Sequence, residues 1–68
     1  MREVAIREDV IRLGQLLKLS GLVDTGGEAR ALLEEGAVTV NGETEGRRGR
    51  QLHRGDVVAV AGDAVRVA

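Results

Sequence analysis

The sequence predicts an α+β domain, with two helices packed on a small, mainly antiparallel sheet in the order β-α-α-β-β-β-β. Two patterns carry that expectation. Leucines recur at helical spacing in two short segments that each close on a glycine, and from residue 38 onward valines alternate with other residues between glycine-bearing turns. Length sets the scale. A chain of 68 residues buries only about 60% of the surface its unfolded form exposes, so residues 1–68 read as one domain with an economical core.

Each element has a local reason. Val4 and Ile6 alternate with Glu3, Ala5 and Arg7, a short strand with one apolar face. Asp9 is placed to cap a first helix whose buried stripe is Val10, Leu13, Leu16 and Leu17 and which closes at Ser20-Gly21. Gly14 falls inside that helix at a cost of about 1 kcal/mol relative to alanine, so it either marks the true start or admits a neighbouring backbone. The second helix opens on a capping box, Thr25 with Glu28, buries Ala29, Leu32 and Leu33, and ends at Gly36. Gly26 and Gly27 leave its first N–H groups unobstructed, which suits either an anion at the positive helix end or simply a tight entry turn.

Val38 and Val40 then form a strand that Asn41-Gly42 turns back into Glu43-Thr44-Glu45. Gly46 to Arg50 reads as an irregular, mobile arm. Gly55-Asp56 turns the chain into a valine strand over 57–61, Gly62-Asp63 makes another tight turn, and Val65 and Val67 begin the closing strand. The N-terminal strand is expected to join this last hairpin.

Composition excludes several functions. The chain is 43% hydrophobic without Phe, Tyr or Trp, so its core must be built of small aliphatics. With no cysteine and one histidine it can form neither a disulfide framework nor a thiolate or histidine-rich metal site, and no cofactor is expected. No leader pattern and no long apolar run are visible, so the expectation is a cytoplasmic protein with no membrane partner. The net charge of −1 conceals segregation. Residues 1–45 hold five bases and nine acids, residues 46–54 four bases and no acid, and residues 55–68 one base and two acids. Binding to phosphates responds to the local field, so the basic segment is compatible with a nucleic-acid backbone.

Arg47, Arg48 and Arg50 carry the planar donor forks that suit phosphate, against the plainer reading of a loop kept soluble by charge. Arg30 can pair with Glu34 four residues on. His53 lies in a polar turn with no carboxylate, Ser or Cys partner in the vicinity, and the pairs Glu34-Glu35 and Glu43 with Glu45 lack a metal or nucleophilic partner. No catalytic constellation emerges, nor any small-molecule substrate. The acidic pairs are expected to repel a nucleic-acid backbone from the wrong face.

The leucine-rich first helix from Arg12-Leu13 to Leu19, its exit at Gly21-Leu22, Ala29-Arg30 and Leu32-Leu33 in the second helix, the string Gly36-Ala37-Val38-Thr39-Val40-Asn41-Gly42, and Gly55-Asp56 together resemble a known family. It is the RNA-binding domain named after ribosomal small-subunit protein four, also called the alpha-L motif. The resemblance covers about residues 11–61, and the remainder looks like the short additions of stand-alone bacterial members. It implies a non-catalytic protein that binds structured RNA, ribosomal or transfer-RNA-like. The RNA-facing positions it implies are Lys18, Arg30, Arg47, Arg48, Arg50 and Arg54, expected to converge on one face away from Glu34 and Glu35. Thr25-Gly26 stands where many members carry Ser-Arg, so Thr25 and the exposed N–H of Gly26 are the substitutes expected there. Without aromatic side chains to stack bases, the reader would recognise shape and phosphates. The alternative is a small protein-interaction module that uses its sheet edge or a helix face.

Overall fold

A computed structural model describes all 68 residues. Its elements are β1 (Arg2–Val4), β2 (Val10–Arg12), α1 (Leu13–Leu19), α2 (Gly26–Glu34), β3 (Val38–Val40), β4 (Glu43–Thr44), β5 (Gln51–His53), β6 (Val57–Val60) and β7 (Asp63–Val67). Five strands form one sheet in the order β1-β7-β6-β3-β4, and β2 pairs with β5 in a second. All pairings are antiparallel except that of β1 with β7. The α+β class and the docking of an N-terminal strand on the C-terminal hairpin are as expected, but that strand is Arg2–Val4 and not the stretch around Val4 and Ile6; Ile6 lies past its end, where its N–H donates to the Ala68 carbonyl.

The core lies between the helices and the valine sheet. Leu13, Leu16 and Leu17 of α1 and Ala29 and Leu33 of α2 meet Val38, Val40, Val58, Val60, Val65 and Val67, with Leu52 of β5 fully buried beside them. β3 and β6 supply alternating buried positions because successive side chains of a strand point to opposite faces. No helix is long and apolar enough to cross a membrane.

Two short strands, β2 and β5, were absent from the expected order, and their pairing displaces the start of the first helix. Ile11 faces Leu52 and Val10 faces His53, so Val10 is a half-exposed strand residue and not part of a helical stripe. Asp9 consequently caps nothing; its carboxylate pairs with Arg54. The helix begins at Leu13, and its first free donors are taken by the following loop: Leu13 N–H donates to the Arg50 carbonyl at 2.8 Å and Gly14 N–H to the Arg48 carbonyl at 2.9 Å.

Turn chemistry places the strands. Asn41 and Gly42 both have positive φ, as a primed two-residue turn requires. Asn41 also ties that turn to the head of β6, where its Oδ1 accepts from Val57 N–H and its Nδ2 donates to Asp56. The second such turn is Ala61-Gly62, one residue earlier than Gly62-Asp63, because Ala61 takes the left-handed conformation at φ 51° and Asp63 already pairs with Val60. The capping box of α2 is likewise offset. Thr25 Oγ1 accepts from Glu28 N–H, but Glu28 reaches back to the N–H of Asp24.

Candidate nucleic-acid interface

The loop 46–50 is not a free arm. Glu45, one residue before it, is only 7% exposed and accepts four hydrogen bonds from it. Arg47 gives its backbone N–H at 2.9 Å and its Nε and Nη2 at 3.1 Å, and Arg50 gives Nη1 at 3.0 Å. These hydrogen bonds, led by the Arg47 side chain, hold the Glu45 carboxyl at about 2, well below its ordinary 4.5. Glu45 N–H in turn donates to the Val38 carbonyl, which fixes the carboxylate to β3. The expectation that Glu45 alternates with Glu43 on an RNA-repelling strand face is therefore corrected. β4 ends at Thr44, and the Glu45 side chain turns into the basic loop because two guanidinium groups there satisfy it.

This changes which cations are free. Arg2, Arg30, Arg47, Arg50, Arg54 and Arg66 all lie within ion-pairing distance of a carboxylate, whereas Arg7, Arg12, Lys18 and Arg48 do not. Three of those four line one depression. Arg12, Lys18 and Arg48 line it together with Gly14, Gly26 and Gly49, and with Gln15 and Ala29. A single apolar residue among the eight lining it suits a charged ligand and not an apolar one. A second depression adjoins the first across Arg12 and Gly49 and adds Arg47, Arg50, Gln51 and His53.

Of the expected positions, Lys18, Gly26 and Arg48 are thus brought together, and Arg47 and Arg50 flank them. Arg30 lines neither depression; its Nε donates to Glu34 at 3.1 Å on the exposed outer side of α2. Arg54 is engaged elsewhere, with Asp9 and the Ile6 carbonyl. Thr25 spends its hydroxyl oxygen on the helix cap. His53 is a strand residue, not a turn residue, and it does have a carboxylate nearby. Its N–H donates to Asp56 at 2.8 Å, and its ring Nδ1 lies 4.0 Å from the same oxygen. That backbone hydrogen bond is the main reason the Asp56 carboxyl is lowered.

Arg12 lines both depressions and was not among the expected positions. No local sequence signal marked it: with the first helix read as opening at Asp9, Arg12 fell inside the helix, and its N-cap position follows only from the pairing of β2 with β5.

The sequence matches the S4 domain over residues 4–68. The chain belongs to the S4 domain family. It is 46% identical over 59 residues to the probable ribosome maturation protein RlbA of Bacillus subtilis (strain 168), covering 87% of this chain and 83% of that one. It is 37% identical over 57 residues to the putative RNA-binding protein YbcJ of Escherichia coli (strain K12), covering 84% and 81%. The solution structure of YbcJ from E. coli, described as revealing an alpha-L motif involved in RNA binding, superposes with a TM-score of 0.74. That comparison spans all of this chain and 87% of the other at 33% identity. The S4 match extends beyond residues 11–61 to take in residues 4–10 and the closing strand β7.

Proposed function

We propose that this chain is a non-catalytic, cytoplasmic RNA-binding protein that recognises folded RNA, ribosomal RNA foremost, through its sugar-phosphate backbone. The observation that carries the reading is the cluster of Arg12, Lys18 and Arg48, three cations with no acid partner around a polar, glycine-rich depression. Charged side chains left without partners in a chain of net charge −1 are available to release counterions from a polyanion. The names of the relatives, a ribosome maturation protein and an RNA-binding protein, support RNA as the polyanion.

Arg12, Lys18 and Arg48 would contact phosphates directly, and Gly26 would let a strand approach the start of α2. Arg47 and Arg50 form the margin, where they line the second depression. Thr25, Arg30 and Arg54 are outer positions that a longer RNA would reach. With no aromatic residue to stack a base, discrimination would come from RNA shape.

Crosslinking in cells followed by sequencing of the bound RNA tests the partner. Enrichment of ribosomal RNA segments with base-paired structure is expected, and recovery of no RNA above an uncrosslinked control would overturn the proposal.

A further inference from the structure

Glu45 is the most buried charged side chain of the protein and stands inside its most basic neighbourhood. By charge alone it should weaken an RNA site. The geometry points to the opposite role: we propose that Glu45 is a positioning residue, whose carboxylate engages Arg47 and Arg50 to hold Arg48 over the RNA-binding depression. The inference rests on the RNA-binding reading above.

The chain is tied down step by step from residue 45 to residue 50. Glu45 is anchored to β3 through its N–H and gathers the N–H and guanidinium of Arg47 and the guanidinium of Arg50. Arg50 N–H closes the turn on the Arg47 carbonyl at 3.2 Å. With both ends of the loop tied, the carbonyls of Arg48 and Arg50 meet the first two N–H groups of α1. The stem of Arg48 then crosses Gly14, the one position in that turn with no side chain to obstruct it. Of the three arginines in the loop, Arg48 alone is left without an acid and faces the cluster with Arg12 and Lys18. The loop thus uses two arginines and one acid to fix a third arginine, which lowers the conformational freedom that Arg48 loses on binding.

The test is a double-mutant cycle on the full chain with a fluorescently labelled RNA stem-loop, at a temperature where circular dichroism shows every variant folded. Glu45→Gln frees two arginines and removes one negative charge, so simple electrostatics requires tighter binding. Positioning requires about tenfold weaker binding, equivalent to one charge-assisted hydrogen bond. Arg48→Ala should likewise cost about tenfold in the wild type and much less in the Glu45→Gln background. A merely structural role would leave that coupling absent. Glu45→Asp, which keeps the charge but cannot span both guanidinium groups, should behave as Glu45→Gln and serves if the latter does not fold. Equal or tighter binding by Glu45→Gln or Glu45→Asp, or an undiminished effect of Arg48→Ala beside either, would overturn the positioning role. A wild type without salt-sensitive affinity for the stem-loop would overturn the RNA reading itself, and this role with it.

Discussion

Gly14 and Arg48 share a space that only one of them can fill with side chain. A Cβ on Gly14 would lie 2.5 Å from the Cγ of Arg48, while the Gly14 N–H donates to the Arg48 carbonyl at 2.9 Å. The glycine inside the first helix therefore admits the neighbouring backbone and the stem of an arginine. Gly14→Ala should weaken both stability and binding. Gly14 is buried at the second position of α1, and a Cβ there would meet the Cγ at the root of the Arg48 side chain and not its flexible end, so the Arg48 stem and its loop must shift. The melting temperature should fall, and affinity for folded RNA should fall as far as it does in Arg48→Ala. Retained affinity would mean that the path of Arg48 across Gly14 is irrelevant to RNA.

Leu17 and Leu33 join the two helices through the core, at 0% and 4% exposure. With no aromatic residue in the chain, each leucine carries a large share of the packing. Leu33→Ala should cost about 2–5 kcal/mol, comparable to much of the total stability of so small a domain. Urea denaturation measures it, and a loss below about 1 kcal/mol would contradict this burial.

Acid should unfasten the basic loop. The Glu45 carboxyl moves from 4.5 to about 2, first through the Arg47 side chain, then the Arg47 N–H, then Arg50. A carboxyl lowered in the folded state contributes stability that is fully present above its unfolded value and is lost as pH falls through its folded value. The window is thus about pH 4.5 down to 2. Asp56 is lowered too, chiefly by the His53 N–H, and acts in the same direction. The melting temperature of Glu45→Gln should lie below that of the wild type at neutral pH and converge on it in acid. A gap that persists undiminished near pH 2 would show that the loop's hydrogen bonds do not depend on the ionised carboxylate.

The sequence made the helices, their glycine stops and the valine strands legible because each obeys a local rule: the Thr25 cap, the Leu32-Leu33 stripe, the Asn41-Gly42 turn. β2 and β5 were hidden because three residues at 10–12 fit both periodicities, and only pairing with residues 51–53 decides between them. The site was half legible. Lys18, Gly26 and Arg48 follow from the resemblance, but counting charge along the chain cut the basic segment one residue after Glu45 and so overlooked the acid that neutralises it. Gly14 within a helix is a misfit visible in the sequence, Arg12 at a cap becomes one only once β2 is placed, and both line the first depression. Places where local preference is overridden are where function is expected.

The division of the arginines into paired and unpaired sets yields the most direct test of the interface. Arg12, Lys18 and Arg48 have no acid partner, whereas Arg2, Arg30 and Arg66 are paired with Asp63, Glu34 and Glu3. Replacing either set with alanine removes the same formal charge, so a response to net charge alone would be identical. A response to phosphate binding would differ, because every phosphate that is no longer neutralised flattens the dependence of log K on log salt by about one unit. The Arg12, Lys18, Arg48 variant should lose up to about 3 units of slope, and the ion-paired set well under 1. RNAs that differ in sequence but share a fold should weaken by similar factors, since no base is read by stacking. The measurement is a salt titration of wild type and both variants against an RNA stem-loop and an unstructured oligouridylate. Equal flattening in the two variants would reduce the interface to a diffuse charge effect, and an unchanged slope in the first would move RNA away from the depression altogether.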